Sequence, residues 1–270
     1  MTDKNEFGRL LADNLKALNA KERDHLMRFA YLGEKEEYEK TKKFLSQPFF
    51  NSMKEALGGN IPQLEEKDCL FAGMDYHIDW LHAAMFMAGK EEREVAGAVG
   101  DEFAIPSTVE ISSVRKDGKP CKIDLRPVTG IQEDIDLLVV FNSGGKTHVV
   151  FIEAKGTERF DRKQLVRKLV RVNHVIRESR PESEGGWKGK DVEFYFVLAT
   201  ARDVPDFTGT FMDYINESDA NDVKEIVQYI TNDCGRWEFL DEKPHWLKVG
   251  NFPKPVMKVT RIEEGSRPEE

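Results

Sequence analysis

The chain has 270 residues, which is enough for one large domain or for a domain with an appended subdomain. Its 40% hydrophobic and 33% charged residues are typical of a globular protein and exclude collagen-like, mucin-like and globally disordered chains. No uninterrupted apolar segment approaches the roughly 20 residues of a membrane helix, and the first residues, MTDKNEFGRL, lack a signal-peptide pattern. We therefore expect a cytoplasmic protein with no membrane partner.

Charge and cysteine content narrow the possible partners. Forty basic residues against 49 acidic ones leave a formal charge of −9, which argues against sequence-blind binding of a polyanion by the whole surface. A nucleic-acid partner would need a local basic patch. Cys69, Cys121 and Cys234 lie far apart, so they indicate neither a disulfide framework nor a zinc knuckle.

The first third of the chain has mostly helical patterns. Residues 7–50 carry leucines and aromatic residues at spacings of three and four, which predicts two or three packed helices. Gly58, Gly59 and Pro62 mark a connection. Residues 70–88, LFAGMDYHIDWLHAAMFMA, are apolar on more than one face and predict a single buried helix.

The pattern then changes to short strands. Alternating residues over 109–127, with a turn at 116–119, predict a β-hairpin, and two apolar runs at 135–141 and 148–152 predict a second hairpin around 142–146. The remaining predicted elements are a helix at 161–178, a buried strand at 192–200, helices within 211–230, a last strand at 257–262 and a flexible tail at 263–270.

Three ionisable residues are brought together by the second hairpin. Asp136 begins one strand, and Glu153 and Lys155 end the other, so an antiparallel turn places these ends side by side. Glu153 and Lys155 are two residues apart in an extended segment and therefore share one face of the sheet. Two carboxylates and one ammonium thus face one spot.

This combination suits phosphodiester hydrolysis. Mg²⁺ binds to one or two protein carboxylates and keeps several waters, and Mn²⁺ is a possible substitute. The bound ion lowers the pKa of a water molecule, and a neighbouring lysine orients that water or neutralises the charge of the transition state. Asp134 shares the face of Asp136 and is either an additional ligand or a turn carboxylate. The competing interpretation is a plain salt bridge at a strand end.

At these positions the chain resembles the PD-(D/E)xK nuclease superfamily, with Asp136 as the first acid and Glu153-Ala-Lys155 as the second motif. The resemblance covers roughly residues 120–200, and Ile135 stands where the motif's proline would be. It implies the element order strand, strand, strand, helix, strand, Mg²⁺ bound by Asp136 and Glu153, and Lys155 acting on the water. It further implies that Gln164 supports the site from the next helix and that an acid before the sheet adds a ligand, for which the sequence leaves open Asp75, Asp79 and Glu94, besides Asp134.

The helix after this motif is strongly basic. Between residues 159 and 180 there are eight basic residues and two acidic ones. On a helical wheel the leucines and valines form one arc, and the opposite arc holds Lys163, Gln164, Arg167, Lys168, Arg171 and His174. We expect nucleic-acid contacts from Lys163, Arg167, Lys168 and Arg171, and the alternative is an ordinary solvated helix face.

Together these patterns predict an α/β protein with a restriction-endonuclease-like mixed central sheet flanked by helices. The predicted division is a helical N-terminal region at 1–65, a nuclease-like core at 66–262 and the tail at 263–270. The predicted function is a Mg²⁺-dependent nuclease that acts on DNA rather than RNA and forms a homodimer if it cuts both strands. The alternative is a catalytically inactive nuclease-fold module that binds nucleic acid or a protein partner.

Overall fold

The computed structural model describes residues 6–19, 24, 26, 45–58, 61, 64–89, 110–114, 120–124, 134–155, 160, 162–179, 191–200 and 245–248. The helices are α1 (Glu6–Leu18), α2 (Gln47–Ala56), α3 (Ile78–Gly89) and α4 (Arg162–Glu178), with a short 3₁₀ turn at Glu66–Asp68. The strands are β1 (Cys69–His77), β2 (Glu110–Val114), β3 (Pro120–Asp124), β4 (Asp134–Ser143), β5 (Lys146–Lys155), β6 (Val192–Thr200) and β7 (His245–Lys248).

The centre of the fold is a mixed five-stranded sheet in the order β1-β4-β5-β6-β7. β1 pairs with β4 and β4 with β5 in antiparallel fashion, whereas β5, β6 and β7 run parallel. The parallel step from β5 to β6 contains α4, as expected for a crossover connection. The predicted α/β class with a mixed sheet is thus confirmed.

The hairpin predicted around 142–146 is present as β4 and β5, and it closes with a two-residue turn. Ser143 pairs with Lys146, and Gly144 and Gly145 between them both have positive φ, at 61° and 79°. Two consecutive positive φ values define the hairpin turn that matches strand twist, and glycine adopts them without steric cost. This turn fixes the register of the two strands down to their far ends.

Helices cover both faces of the sheet. One face packs against α1, α3 and α4, and its core includes Leu138, Phe151 and Phe196. The other face packs against α2, and its core includes Val150 and Val197. Burial on both faces explains why β4, β5 and β6 read as continuous apolar runs and not as alternating ones.

One prediction about this region is wrong. Residues 70–88 are not one helix, because β1 occupies 69–77 and α3 begins at Ile78. A buried strand and a buried helix are both apolar on all sides, so periodicity alone does not separate them. The first predicted hairpin exists as β2 and β3, but these two strands form a separate sheet, and the strand beside β4 is β1.

Other predictions fall beyond the described residues. The helices at 211–230, the strand at 257–262 and the tail at 263–270 lie there. β7 has no counterpart among the predicted elements. Among the residues described, none of the helices is long and apolar enough to cross a membrane.

Candidate metal and active site

The site begins with the ends of β4 and β5 that lie away from the glycine turn. Their last paired residues are Leu137 and Ile152, and one further step in this register sets Asp136 opposite Glu153. Glu153 is two residues from Phe151, so its carboxylate lies on the face that α4 covers. The Asp136 carboxylate is close enough to raise the pKa of Glu153. The predicted juxtaposition of the two acids is present in the fold.

Glu153 is a buried carboxylate whose two oxygens differ in hydrogen bonding. Its side chain is 8% exposed, and its Oε2 accepts a hydrogen bond from Lys168 Nζ at 2.6 Å. Its Oε1 is buried and has no hydrogen-bond partner in the described part of the chain. Burial raises the pKa of Glu153 to about 7; the Lys168 ammonium opposes this rise, and the Asp136 carboxylate adds to it.

Asp136 is tied to the opposite strand by the backbone. Its Oδ2 accepts a hydrogen bond from the Ala154 amide at 2.7 Å. This contact extends the strand pairing by one side-chain bond and fixes the carboxylate next to Glu153. The half-buried position of Asp136 leaves it open to solvent on one side.

Lys155 lies on the same strand as Glu153, and Gln164 lies on the helix that contacts Glu153 through Lys168. Lys155 is half-buried at the end of β5 and shares the strand face of Glu153. Gln164 is exposed on the first turns of α4, one helical turn before Lys168 and on the same side of the helix. The ion pair of Lys168 with Glu153 therefore brings the side of α4 that carries Gln164 toward the carboxylates.

The expectation that Lys168 and Arg171 lie on a solvated face of α4 is wrong. Both residues are buried, and Arg171 is only 4% exposed. Lys168 pairs with Glu153 of β5, and Arg171 pairs with Asp79 of α3. His174, which the same helical arc holds, is also buried. The side chains of Lys163 and Arg167 lie outside the described ones.

The open candidates for a further acidic ligand take different positions. Asp79 in the first turn of α3 is buried, pairs with Arg171 and has its Oδ2 3.8 Å from His77 Nδ1. Asp134 begins β4, where it is the strand partner of His77. Asp75 lies in β1 with a positive φ of 49°. Glu94 is outside the described residues.

The carboxylate pair fits a hard divalent cation. Two neighbouring carboxylates, one of them with a buried oxygen that has no partner among the described residues, match the one or two carboxylates that Mg²⁺ takes from a protein. Among the described residues no group of three or more histidines, cysteines, aspartates and glutamates is arranged to hold a metal. A cation at Asp136 and Glu153 would therefore keep most of its coordination for water and substrate oxygens.

Sequence reasoning missed the role of Lys168 and of Asp79. The helical wheel assigned Lys168 to a surface because it groups polar residues without showing what packs against them. Two acids in apolar surroundings, Asp79 and Glu153, were the available signal, because buried carboxylates call for cationic partners.

Comparison with protein-family models, with curated proteins and with solved structures finds no match for this chain. The resemblance to the PD-(D/E)xK nucleases therefore depends on the Asp136, Glu153 and Lys155 pattern and on the order of the elements around it.

Proposed function

We propose that the chain is a Mg²⁺-dependent nuclease of restriction-endonuclease-like fold that hydrolyses phosphodiester bonds, in DNA rather than RNA. The observation that carries the proposal is that the buried Oε1 of Glu153, next to Asp136, has no hydrogen-bond partner within the described part of the chain. Leaving a carboxylate oxygen buried without a partner is unfavourable, and a metal ligand position offsets that cost.

The order of elements supports the same conclusion. Along the chain, β3, β4, β5, α4 and β6 follow one another as strand, strand, strand, helix, strand. β3, however, belongs to the separate two-stranded sheet, and β1 is the strand beside β4 in the central sheet. The acidic residues lie on the second and third of these strands. This order along the chain is the one that the resemblance implies.

Each residue has a defined role in the proposed reaction. Asp136 and Glu153 hold the cation, Lys155 orients the attacking water, and Gln164 supports the site from α4. A bound Mg²⁺ would supply Lewis-acid activation of the phosphate and of a water molecule. Lys155 lies on the strand face of Glu153, where its ammonium also neutralises charge that develops on the phosphate oxygens.

Fewer basic side chains are available to bind the nucleic-acid backbone than the sequence suggests. Lys168 and Arg171 are both engaged with buried carboxylates, so we assign them no phosphate contact. Lys163 and Arg167 remain the proposed contacts on α4. Binding through such lysines and arginines is sequence-independent and weakens with salt.

A cleavage assay tests the proposal. Linear, supercoiled and single-stranded DNA and a matched RNA are incubated with Mg²⁺ or Mn²⁺, and wild type is compared with Lys155→Ala and Glu153→Gln. We expect metal-dependent cleavage of DNA that both variants lose while they retain the circular dichroism spectrum of the wild type. Cleavage by a folded Lys155→Ala variant at the wild-type rate would contradict it. Sedimentation of the wild type then tests the homodimer proposed for double-strand cutting.

A second candidate is a catalytically inactive module of the same fold that binds nucleic acid or a protein partner. The ion pair between Lys168 and Glu153 favours it, because an ammonium beside the site already neutralises one of the two acids. Such a module would bind DNA without any effect of Mg²⁺ and would show no cation binding that depends on Asp136.

A further inference from the structure

We propose that Lys168 is an internal counter-cation that competes with the divalent ion for Glu153 and thereby weakens metal binding. This inference rests on the proposed metal site at Asp136 and Glu153 and concerns its regulation. The ammonium of Lys168 lies 2.6 Å from Oε2 of Glu153, and neither side chain is more than 8% exposed.

In this proposal each oxygen of Glu153 faces a different positive charge, one from the Lys168 ammonium and one from the divalent cation. Oε2 is occupied by Lys168, whereas Oε1 has no partner among the described residues and is the oxygen left for a cation. A carboxylate is small, so a cation on Oε1 lies within a few Å of the ammonium on Oε2. Two like charges at that distance repel strongly, and burial keeps water from screening the repulsion.

The contact between Lys168 and Glu153 can open without moving the hairpin, because Lys168 belongs to α4. Asp136 and Glu153 belong to neighbouring strands of one hairpin, which are held by backbone hydrogen bonds, whereas Lys168 reaches Glu153 from a helix. A lysine has four rotatable bonds, so its ammonium moves away from Glu153 with little change in the backbone. Lys168 therefore neutralises Glu153 in the metal-free protein and yields when the cation binds.

The test uses Mn²⁺ alone as the probe, with no nucleic acid, and isothermal titration calorimetry on the full chain. The main variant is Lys168→Gln, which removes the charge and keeps an N–H donor for Oε2. Lys168→Arg keeps the charge. Lys146→Gln is the matched control, because Lys146 also pairs with a glutamate, Glu193, but at the opposite end of β5.

We expect Lys168→Gln to bind Mn²⁺ at least about tenfold more tightly than the wild type, since the nearest like charge is gone. Lys168→Arg and Lys146→Gln should stay within about threefold of the wild type. The same ranking at pH 8 and pH 9 shows that proton competition does not cause it. Thermal melts with saturating Mn²⁺ give a second readout, in which Lys168→Gln gains more stability from the metal than the wild type does.

The outcomes separate this inference from the proposed function. If the wild type binds Mn²⁺, Asp136→Asn abolishes that binding, and Lys168→Gln binds no more tightly than the wild type, the inference is overturned and the metal site remains. If no variant binds Mn²⁺ at millimolar concentration, both proposals fall, and the Lys168–Glu153 pair is an ion pair of the folded core only.

Discussion

Lys168 of α4 and Glu153 of β5 form an ion pair inside the fold, with 2.6 Å between Nζ and Oε2 and both side chains nearly inaccessible to water. One turn further along α4, Arg171 forms a second buried pair with Asp79 of α3. The helix that the sequence presents as a basic surface is thus attached by its cations to a strand on one side and to a helix on the other.

Removing one partner of the Lys168–Glu153 pair should destabilise the fold more than removing both. Lys168→Met leaves a buried carboxylate without its counter-charge, and we expect a loss of about 3–5 kcal/mol in the free energy of unfolding. The double variant Glu153→Leu/Lys168→Met replaces both charges by apolar groups and should recover most of that loss. Urea denaturation at pH 8 measures both, and equal losses in the single and double variants would contradict the prediction.

Two substitutions of Asp136 should separate its contribution to stability from its contribution to metal binding. Its Oδ2 accepts the Ala154 amide, and Asp136→Asn keeps an acceptor oxygen, so we expect it to change stability by less than about 0.5 kcal/mol, whereas Asp136→Ala should lose about 1 kcal/mol. Both variants should lose Mn²⁺ binding. Because the Asp136 charge raises the pKa of Glu153, Asp136→Asn should also lower that pKa, which carboxyl NMR titration detects. An unchanged Glu153 titration in Asp136→Asn would show that the carboxylates do not interact.

His82 should make stability depend on pH in the acidic range. Burial lowers the pKa of His82 to about 4. Its Nδ1 lies 2.9 Å from Ser179 Oγ, and that hydroxyl donates a hydrogen bond to the Val175 carbonyl. The folded state keeps this ring neutral, whereas the unfolded ring binds a proton below about pH 6.5. Stability should therefore fall as pH drops from about 6.5 to about 4, by about 3 kcal/mol from this group.

The variant His82→Gln isolates that contribution. The difference in unfolding free energy between wild type and variant, measured by urea denaturation at several pH values, should change across this window and be constant above pH 7. A difference that does not vary with pH would exclude His82 as the source.

Gly8→Ala should destabilise the protein, although helix propensity alone favours alanine. Alanine usually stabilises a helix interior relative to glycine by about 1 kcal/mol. A Cβ at Gly8, however, would lie 2.4 Å from Asn142 Oδ1 and 2.6 Å from Thr147 Oγ1. We expect Gly8→Ala to lose about 1–3 kcal/mol.

A background that removes both obstructing atoms provides the control. In Asn142→Ala/Thr147→Ala, the same Gly8→Ala change should be neutral or stabilising in thermal melts. A loss as large in this background as in the wild type would mean that α1 does not approach the β4–β5 turn this closely.

The central β4–β5 hairpin could be predicted from the sequence because the signals that specify it are local. Gly144 and Gly145 specify a two-residue turn, and the apolar runs on either side of it specify buried strands, so the meeting of Asp136 and Glu153 follows from chain connectivity alone. The boundaries of β6 and α4 were likewise predictable from their uninterrupted patterns. Each of these elements can be predicted from its own residues, without knowledge of what packs against it.

What the sequence did not reveal depends on contacts between distant elements. The burial of Lys168 and Arg171 depends on Glu153 and Asp79, and Asp79 lies 92 residues from Arg171. A helical wheel contains no information about such partners. The division of residues 69–89 into β1 and α3 has a similar origin, since the pairing of β1 with β4 decides it, and apolar content alone does not.

The packing of α1 also has a consequence for how the protein is made. Phe7, Leu11 and Leu15 of this helix lie in one core with Val149 and Phe151 of β5, which are synthesised much later. During synthesis from the N-terminus, α1 is complete before any of the strands that cover it exist. Its apolar side is therefore completely covered only after β5 has been synthesised, and the part that is still exposed before then favours aggregation of the nascent chain.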